Sequence, residues 1–157
     1  MANVKTNAMR ALETNHIEYS VHTYEADGDF DGCSVARKIG KEPNRVFKTL
    51  VTVAASKKYY VFVIPVLCEL DLKACAVSVG EKAVEMIPVK DINKVTGYIR
   101  GGCSPIGMKK QYTTVIDESC LNLDTIVFSA GKIGYQVEVS PRELINLIGA
   151  KTGKIVR

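Results

Sequence analysis

Two β-branched stretches between Arg45 and Ile64 constrain this chain more than any other feature. Arg45-Val-Phe-Lys-Thr-Leu-Val-Thr-Val and Tyr59-Tyr-Val-Phe-Val-Ile are rich in residues that suit a pleated surface, and Ala54-Ala-Ser-Lys-Lys between them reads as a turn. They predict a β-hairpin over 46–64, stopped at Pro65. Alternation places Val46, Lys48, Leu50 and Thr52 on one face of the first strand, and Phe47, Thr49, Val51 and Val53 on the other. Lys48 thereby shares a face with residues that look inward. A lysine there can snorkel or guard a sheet edge, or it can face a ligand. The hairpin alone leaves both readings open.

The rest of the chain surrounds this hairpin with short elements. Val4, Ala8, Ala11 and Leu12 follow a helical period, predicting a first helix over roughly residues 4–15. Ile17 to Tyr24 alternates as a strand, with His22 and Tyr24 on one face. The acidic, glycine-containing stretch Glu25-Ala-Asp-Gly-Asp-Phe-Asp-Gly reads as a mobile loop, with Phe30 as a lid contact or a packing anchor. Ser34 is expected to cap a short helix ending at Gly40, and Asp71 one ending at Gly80. Ala83–Ile87 is a further strand, and Asp91–Val95 a turn or two of helix. Thr113–Ile116, Ile126–Ser129 and Tyr135–Val139 are three more strands. Ser140-Pro-Arg-Glu has the pattern of a capping box for a last helix that runs to Ile148. The expectation is one α+β domain spanning residues 1–157, a curved mixed sheet of six or seven strands flanked by four short helices.

Composition narrows the function classes. A length of 157 residues, 46% hydrophobic and 24% charged, is enough for one sizeable core and argues against disorder. No apolar run approaches the roughly 20 residues that span a bilayer. The first residues lack the apolar core of a signal peptide, so a cytoplasmic protein with no membrane association is expected. Five cysteines, an odd number with no Cys-x-x-Cys, argue against a disulfide framework or a zinc site, and two histidines do not supply a metal site either. No metal and no cofactor is expected. Net charge is +4: residues 1–78 hold 10 basic and 9 acidic groups, residues 79–157 hold 11 and 8. This permits contact with a few phosphates without suggesting a coat for long nucleic acid.

The common catalytic and phosphate-binding signatures are missing: no Gly-x-Ser-x-Gly, no Gly-x-x-x-x-Gly-Lys-Ser/Thr and no Gly-x-Gly-x-x-Gly after a strand. His16 and His22 are better suited to capping and packing than to a catalytic base, and Asp117-Glu118 to a turn. Lys48 remains, with two glycine-rich loops, Gly101–Gly107 and Ser129–Gly134, where a ligand could meet bare backbone. Composition alone makes each loop a simple turn.

Six short blocks occur in order: His22-Thr-Tyr-Glu, Val46-Phe-Lys-Thr-Leu, Leu70-Asp-Leu-Lys, Thr96-Gly-Tyr, Gly101-Gly-Cys-Ser-Pro-Ile-Gly and Ser129-Ala-Gly-Lys. In order and spacing, over nearly the whole chain, they resemble the YbaK family of aminoacyl-tRNA deacylases, related to the editing domain of bacterial prolyl-tRNA synthetase. The resemblance implies removal of mischarged cysteine from proline tRNA in trans, with the 3′ CCA end as the substrate held and the synthetase as a candidate partner. It implies that the cysteine thiol of the substrate attacks its own ester, releasing a thiolactone. Lys48 and Gly101 match the family's catalytic positions. Tyr24, Phe30, Thr49, Gly102, Ser104, Pro105, Ser129, Gly131 and Gln136 match positions near the substrate. Cys103, inside the glycine loop, is expected to be a bystander. One position departs from the cysteine-specific pattern: Gln136 stands where an aspartate is found, and an amide cannot be the charged partner of an amine. Gln136 keeps two alternatives in view, a water-dependent deacylase for another small amino acid such as alanine, and a non-catalytic binder of aminoacyl-tRNA or nucleotide.

Overall fold

The computed structural model describes residues 4–157. The expected hairpin is formed by β2 (Phe47–Ala54) and β3 (Tyr59–Pro65), antiparallel with Lys48 opposite Ile64 and Val53 opposite Tyr59. The other strands are β1 (Tyr19–Thr23), β4 (Val84–Met86), β5 (Thr113–Asp117), β6 (Ile126–Lys132), β7 (Tyr135–Val139) and β8 (Lys151–Gly153). The helices are α1 (Asn7–Thr14), α2 (Gly32–Lys38), α3 (Leu72–Ser78), α4 (Ile92–Thr96) and α5 (Pro141–Ile148), with 3-10 turns at Pro43–Arg45, Val89–Asp91 and Glu118–Asn122.

The α+β class stands, but the strands divide between two sheets. β1-β7-β6 is antiparallel throughout. β4-β2-β3-β5-β8 is mixed, with β5 parallel to both β3 and β8. Among the described residues the sheets join at a parallel bridge between Val46 and Val127. The main core lies between them. Phe47, Val51, Val61 and Val63 from one sheet meet Ile126, Phe128, Val137 and Val139 from the other, closed by Leu12 of α1 and Leu144 of α5. A second cluster covers the outer face of the larger sheet, where Phe62 and Ile64 pack on Cys75 and Ala76 of α3 and on Ile155. A third, small cluster seals the joint: Ala36 of α2 sits with Val46, Val66 and Val127.

Local chemistry explains the ends of most elements. Thr6 caps α1 by accepting the Met9 N–H, so the helix starts at Asn7 rather than at residue 4, and Asp71 caps α3 through the Ala74 N–H. Two expected caps differ. Asp31, not Ser34, caps α2: its carboxylate accepts the Ser34 N–H, leaving Ser34 buried inside the first turn. Ser140 does occupy the cap position of α5, but its side chain makes no capping bond, so Pro141 sets the helix start without a capping box. β8 and the three 3-10 turns are the elements that the sequence pattern missed.

Candidate active site

β2 has two different neighbours along one edge. β6 reaches it at Val46, and β4 reaches it only from Thr52 to Ala54. Between them, around Thr49, the edge has no strand partner among the described residues and the two sheets part, opening a cleft of about 550 Å³. Val46 C=O accepts from Val66 N–H at 2.8 Å, and Ala54 N–H donates to Lys58 C=O at 2.8 Å, so the even-numbered residues direct their main-chain groups toward β3. Those of Phe47, Thr49 and Val51 point the other way. The Val51 carbonyl accepts from Ile87 N–H at 3.2 Å, whereas the N–H and C=O of Thr49 open onto the cleft.

Registers also align a row of polar side chains. His22 pairs with Gln136 and Gln136 with Ser129, and two residues beyond the Val46–Val127 bridge Ser129 shares its face with Lys48. Lys48, Ser129 and Gln136 all line the cleft, and no carboxylate of the described residues pairs with the Lys48 amine. Gln136 is only 6% exposed and its Oε1 has no partner among the described residues; the buried Thr49 hydroxyl lacks one there too. Orphaned polar atoms of this kind cost about 1–3 kcal/mol each. Beside the row, Glu138 receives His22 Nε2 at 2.7 Å, the Thr125 hydroxyl and the Lys41 amine at 3.2 Å. Burial alone would raise its pKa, but these hydrogen bonds prevail and hold the carboxyl at about 2. His22 is thus fastened to Glu138, in keeping with a packing role.

The two glycine loops form one wall. Gly101 has φ +87°, and a Cβ there would lie 2.6 Å from the Phe30 ring, so Phe30 rests directly on bare backbone. The loop carrying Phe30 is tethered rather than free: Asp27 accepts from the Asp29 N–H and the Lys38 amine, and Lys38 also reaches the Asp29 carbonyl at 3.0 Å. Behind this wall stands Tyr98. Its hydroxyl donates to Ile106 C=O at 2.5 Å, its ring fills the space that a Cβ on Gly131 would need, and burial pushes its pKa up to about 12. Ser129 Oγ accepts the Gly131 N–H at 3.1 Å, which fixes the irregular end of β6.

Of the residues expected from the sequence, Tyr24, Phe30, Lys48, Thr49, Gly101, Ser129 and Gln136 line the cleft. Gly102, Ser104, Pro105 and Gly131 stand behind its surface: Gly102 backs onto Ile133, while Ser104 and Pro105 are buried within the loop. An apolar wall escaped the sequence reading. Met86 ends β4, Ile87 and Val89 lie in the connection that follows, and Ile92 starts α4; Met86 (46%) and Val89 (56%) are exposed, and nothing in the local pattern around Pro88 marks them as one wall. Cys103 also lines the cleft, and burial pushes its thiol up to about 11, against a hydrogen bond with the Thr96 hydroxyl that lowers it. It is therefore a poor nucleophile at neutral pH. No group of three or more metal-ligating side chains, and no helix long and apolar enough to cross a membrane, occurs among the described residues.

Comparison with known proteins adds three findings. A family model described as the aminoacyl-tRNA editing domain matches residues 33–147. A protein of Enterococcus faecalis, provisionally named a Cys-tRNA(Pro)/Cys-tRNA(Cys) deacylase, EbsC, is 45% identical over 152 residues, covering 96% of this chain and 93% of that protein. Two solved structures share the fold at lower identity. One, of a hypothetical protein, has a TM-score of 0.89 at 20% identity, covering 97% of this chain and all of its own. The other, provisionally described as a trans-editing enzyme for prolyl tRNA synthetase, has a TM-score of 0.83 at 24% identity, covering 99% of both chains.

Proposed function

The chain belongs to the aminoacyl-tRNA editing domain family, and on that premise we propose that it removes cysteine mischarged onto proline tRNA, acting in the cytoplasm beside prolyl-tRNA synthetase. A synthetase pocket built for proline discriminates against a similar-sized amino acid by only about 1–3 kcal/mol per missing group, so a separate hydrolytic check is useful.

The observation that carries the mechanism is what the cleft offers. It presents an unpaired lysine and orphaned acceptors, but its only lining thiol has a pKa of about 11 and no histidine lines it among the described residues. Such a site positions a substrate without supplying a nucleophile. The reaction follows from the substrate itself. The cysteinyl thiol loses its proton and its sulfur attacks the ester carbonyl. A C–S bond forms, the bond to the ribose oxygen breaks, and that oxygen takes up a proton, leaving a thiolactone and free tRNA. A cysteine thiol has a pKa near 8.5, so a useful fraction is ionised near neutral pH, and fixing it in attack geometry raises its effective concentration by orders of magnitude.

In this reading Lys48 holds and neutralises a phosphate at the 3′ end. Main-chain N–H groups at Gly101 and Thr49 face the developing oxyanion; that of Gly102 donates instead to the Ile99 carbonyl at 2.9 Å. Gln136 and Thr49 receive the amino group, Tyr24 and Phe30 enclose the ribose and base, and Ser129 keeps Gly131 in place. A second reading draws on Gln136: a neutral amide holds an ammonium less strongly than a carboxylate, which suits a water-dependent deacylase for a less demanding substrate such as alanine. Purified protein with Cys-, Ala- and Pro-charged proline tRNA, wild type beside Lys48→Ala, separates the two. Cleavage of the cysteinyl ester that falls at least about 100-fold in Lys48→Ala supports the proposal. Cleavage of alanine alone supports the second reading, and cleavage of none removes both.

A further inference from the structure

The two lips of the cleft carry opposite charge. From Glu25 to Asp31 the chain holds four acidic and no basic residues, and Asp29 and Asp31 line the cleft. Among the described residues, only Asp27 of these four forms a salt bridge, with Lys38. From Ile92 to Ile116 the chain holds four basic residues, Lys94, Arg100, Lys109 and Lys110, and no acidic one. This second segment winds around Tyr98 and forms the opposite lip, where the Arg100 guanidinium lies 6.0 Å from the Phe30 ring centroid.

Packing draws the basic groups into one surface. The Lys109 side chain lies against Gly97, and its amine reaches the Lys94 carbonyl at 3.5 Å. The Tyr98 ring packs on Gly131, and Gly102 backs onto the Ile133 and Lys132 main chain, which ties Lys132 to the loop that carries Arg100; its amine lies 5.6 Å from the Tyr135 ring centroid. Lys94, Arg100, Lys109 and Lys132 are all exposed. Of these, Lys94 alone has an acidic partner among the described residues, Asp91 at a loose 3.6 Å. Ile99, 57% exposed, adds an apolar contact in the middle of the surface.

We propose that the Lys94–Arg100–Lys109–Lys132 lip is the docking surface for the phosphodiester backbone of the acceptor stem, and that the acidic 25–31 lip forces the RNA to enter from that side alone. The inference rests on the deacylase reading and adds the path of the RNA outside the cleft. Charge complementarity carries it. Each phosphate neutralised on duplex RNA or DNA releases counterions, so affinity falls with salt by a slope of about 0.9 per contact, and about 0.7 for single strands. A phosphate placed on the other lip would face three unpaired carboxylates.

The test is binding of a 3′-labelled, uncharged acceptor-stem minihelix by fluorescence anisotropy across salt concentrations. It compares wild type with the Lys94→Gln/Lys109→Gln/Lys132→Gln variant. A second triple variant, Lys57→Gln/Lys58→Gln/Lys151→Gln, removes the same charge from the β2–β3 turn and β8. Circular dichroism confirms that both variants fold. In parallel, cysteinyl-adenosine, which has no phosphate, reports the chemistry of the cleft. The lip variant is expected to bind about tenfold or more weakly near 0.1 M salt, with a salt slope lower by about two to three, while its turnover of cysteinyl-adenosine stays within about twofold of wild type. Equal losses in both variants, or none in the lip variant, would overturn the inference. Wild-type protein that binds the minihelix through the lip yet cleaves no cysteinyl ester would leave the surface standing and remove the cysteinyl-tRNA reading.

Discussion

Gly101→Ala tests the wall of the cleft most sharply, because two separable costs meet at that position. The backbone is left-handed at φ +87°, where a Cβ costs about 1–2 kcal/mol. The same Cβ would lie 2.6 Å from Cδ2 and 2.7 Å from Cγ of Phe30. No flexible tip can yield there, so the ring must leave its seat, an overpacking cost of about 1–3 kcal/mol. The combined loss of about 2–5 kcal/mol lowers Tm by about 4–20 °C for a chain of this size. Gly28→Ala supplies the reference: φ is +93° there, but nothing lies within 4 Å of its Cβ, so only the strain remains. Thermal unfolding of both variants, and of Gly101→Ala in a Phe30→Ala background, isolates the contact. The strain cost should persist in that background and the clash cost should vanish. Displacing the ring should also lower kcat/KM on cysteinyl-tRNA by about 10- to 100-fold, as for a misplaced positioning group. Equal Tm losses for Gly101→Ala and Gly28→Ala, with no coupling to Phe30, would refute the packing of the lid on the loop.

Three other outcomes are expected. The Glu138 carboxyl is held at about 2, below its unfolded value near 4.5, so its contribution to stability is fully present above pH about 4.5 and is lost as the pH falls toward 2. Acid titration of the unfolding free energy should therefore fall less steeply for Glu138→Gln over that window, the difference reaching about 3 kcal/mol at most. Cys103→Ala should keep kcat/KM within about threefold, where loss of a true nucleophile costs orders of magnitude; parallel alkylation of wild type at pH 7 should label Cys103 slowly, as its thiol is held at about 11. Gln136→Asp should tighten binding of a substrate carrying a free α-ammonium, seen as a lower KM for cysteinyl-tRNA, while leaving the affinity for uncharged tRNA unchanged.

Much of the fold can be read from local chemistry. The β2–β3 hairpin follows from β-branched runs around a short turn, and Asp71, Gly97 and Gly149 mark helix ends as capping chemistry requires. What escapes is set by long-range contacts. The division into two sheets arises because β2 changes neighbour along one edge, and nothing within β2 announces that. β8 is three residues joined to β5, with no alternation of its own to detect. Asp31 displaces Ser34 as a cap because the incoming chain presents the aspartate oxygen to the Ser34 N–H. The same distinction applies to the cleft. Lys48 is legible from its strand face, and Ser129 and Gln136 from the family resemblance, whereas the Met86–Ile92 wall is a stretch that only the fold brings to β2.

The position of Lys48 explains why its role was ambiguous. It does lie beside a free sheet edge, as a guarding lysine would, but that edge is the floor of a cleft and its face is shared with Ser129 and Gln136. In the proposed reaction, the unpaired amine, the orphaned amide and the open main chain of Thr49 hold a charged ester still, and the chemistry is left to the ester's own thiol.

Single-turnover cleavage of cysteinyl-tRNA carrying either a free or an S-methylated thiol tests that claim most directly. The account predicts that methylation slows cleavage at least about 100-fold, the loss expected when an intramolecular nucleophile is removed, while binding of the two substrates stays equal and the free thiol yields a thiolactone. Equal cleavage of the two esters, with free cysteine as the first product, would contradict it and place water, not the substrate thiol, at the carbonyl.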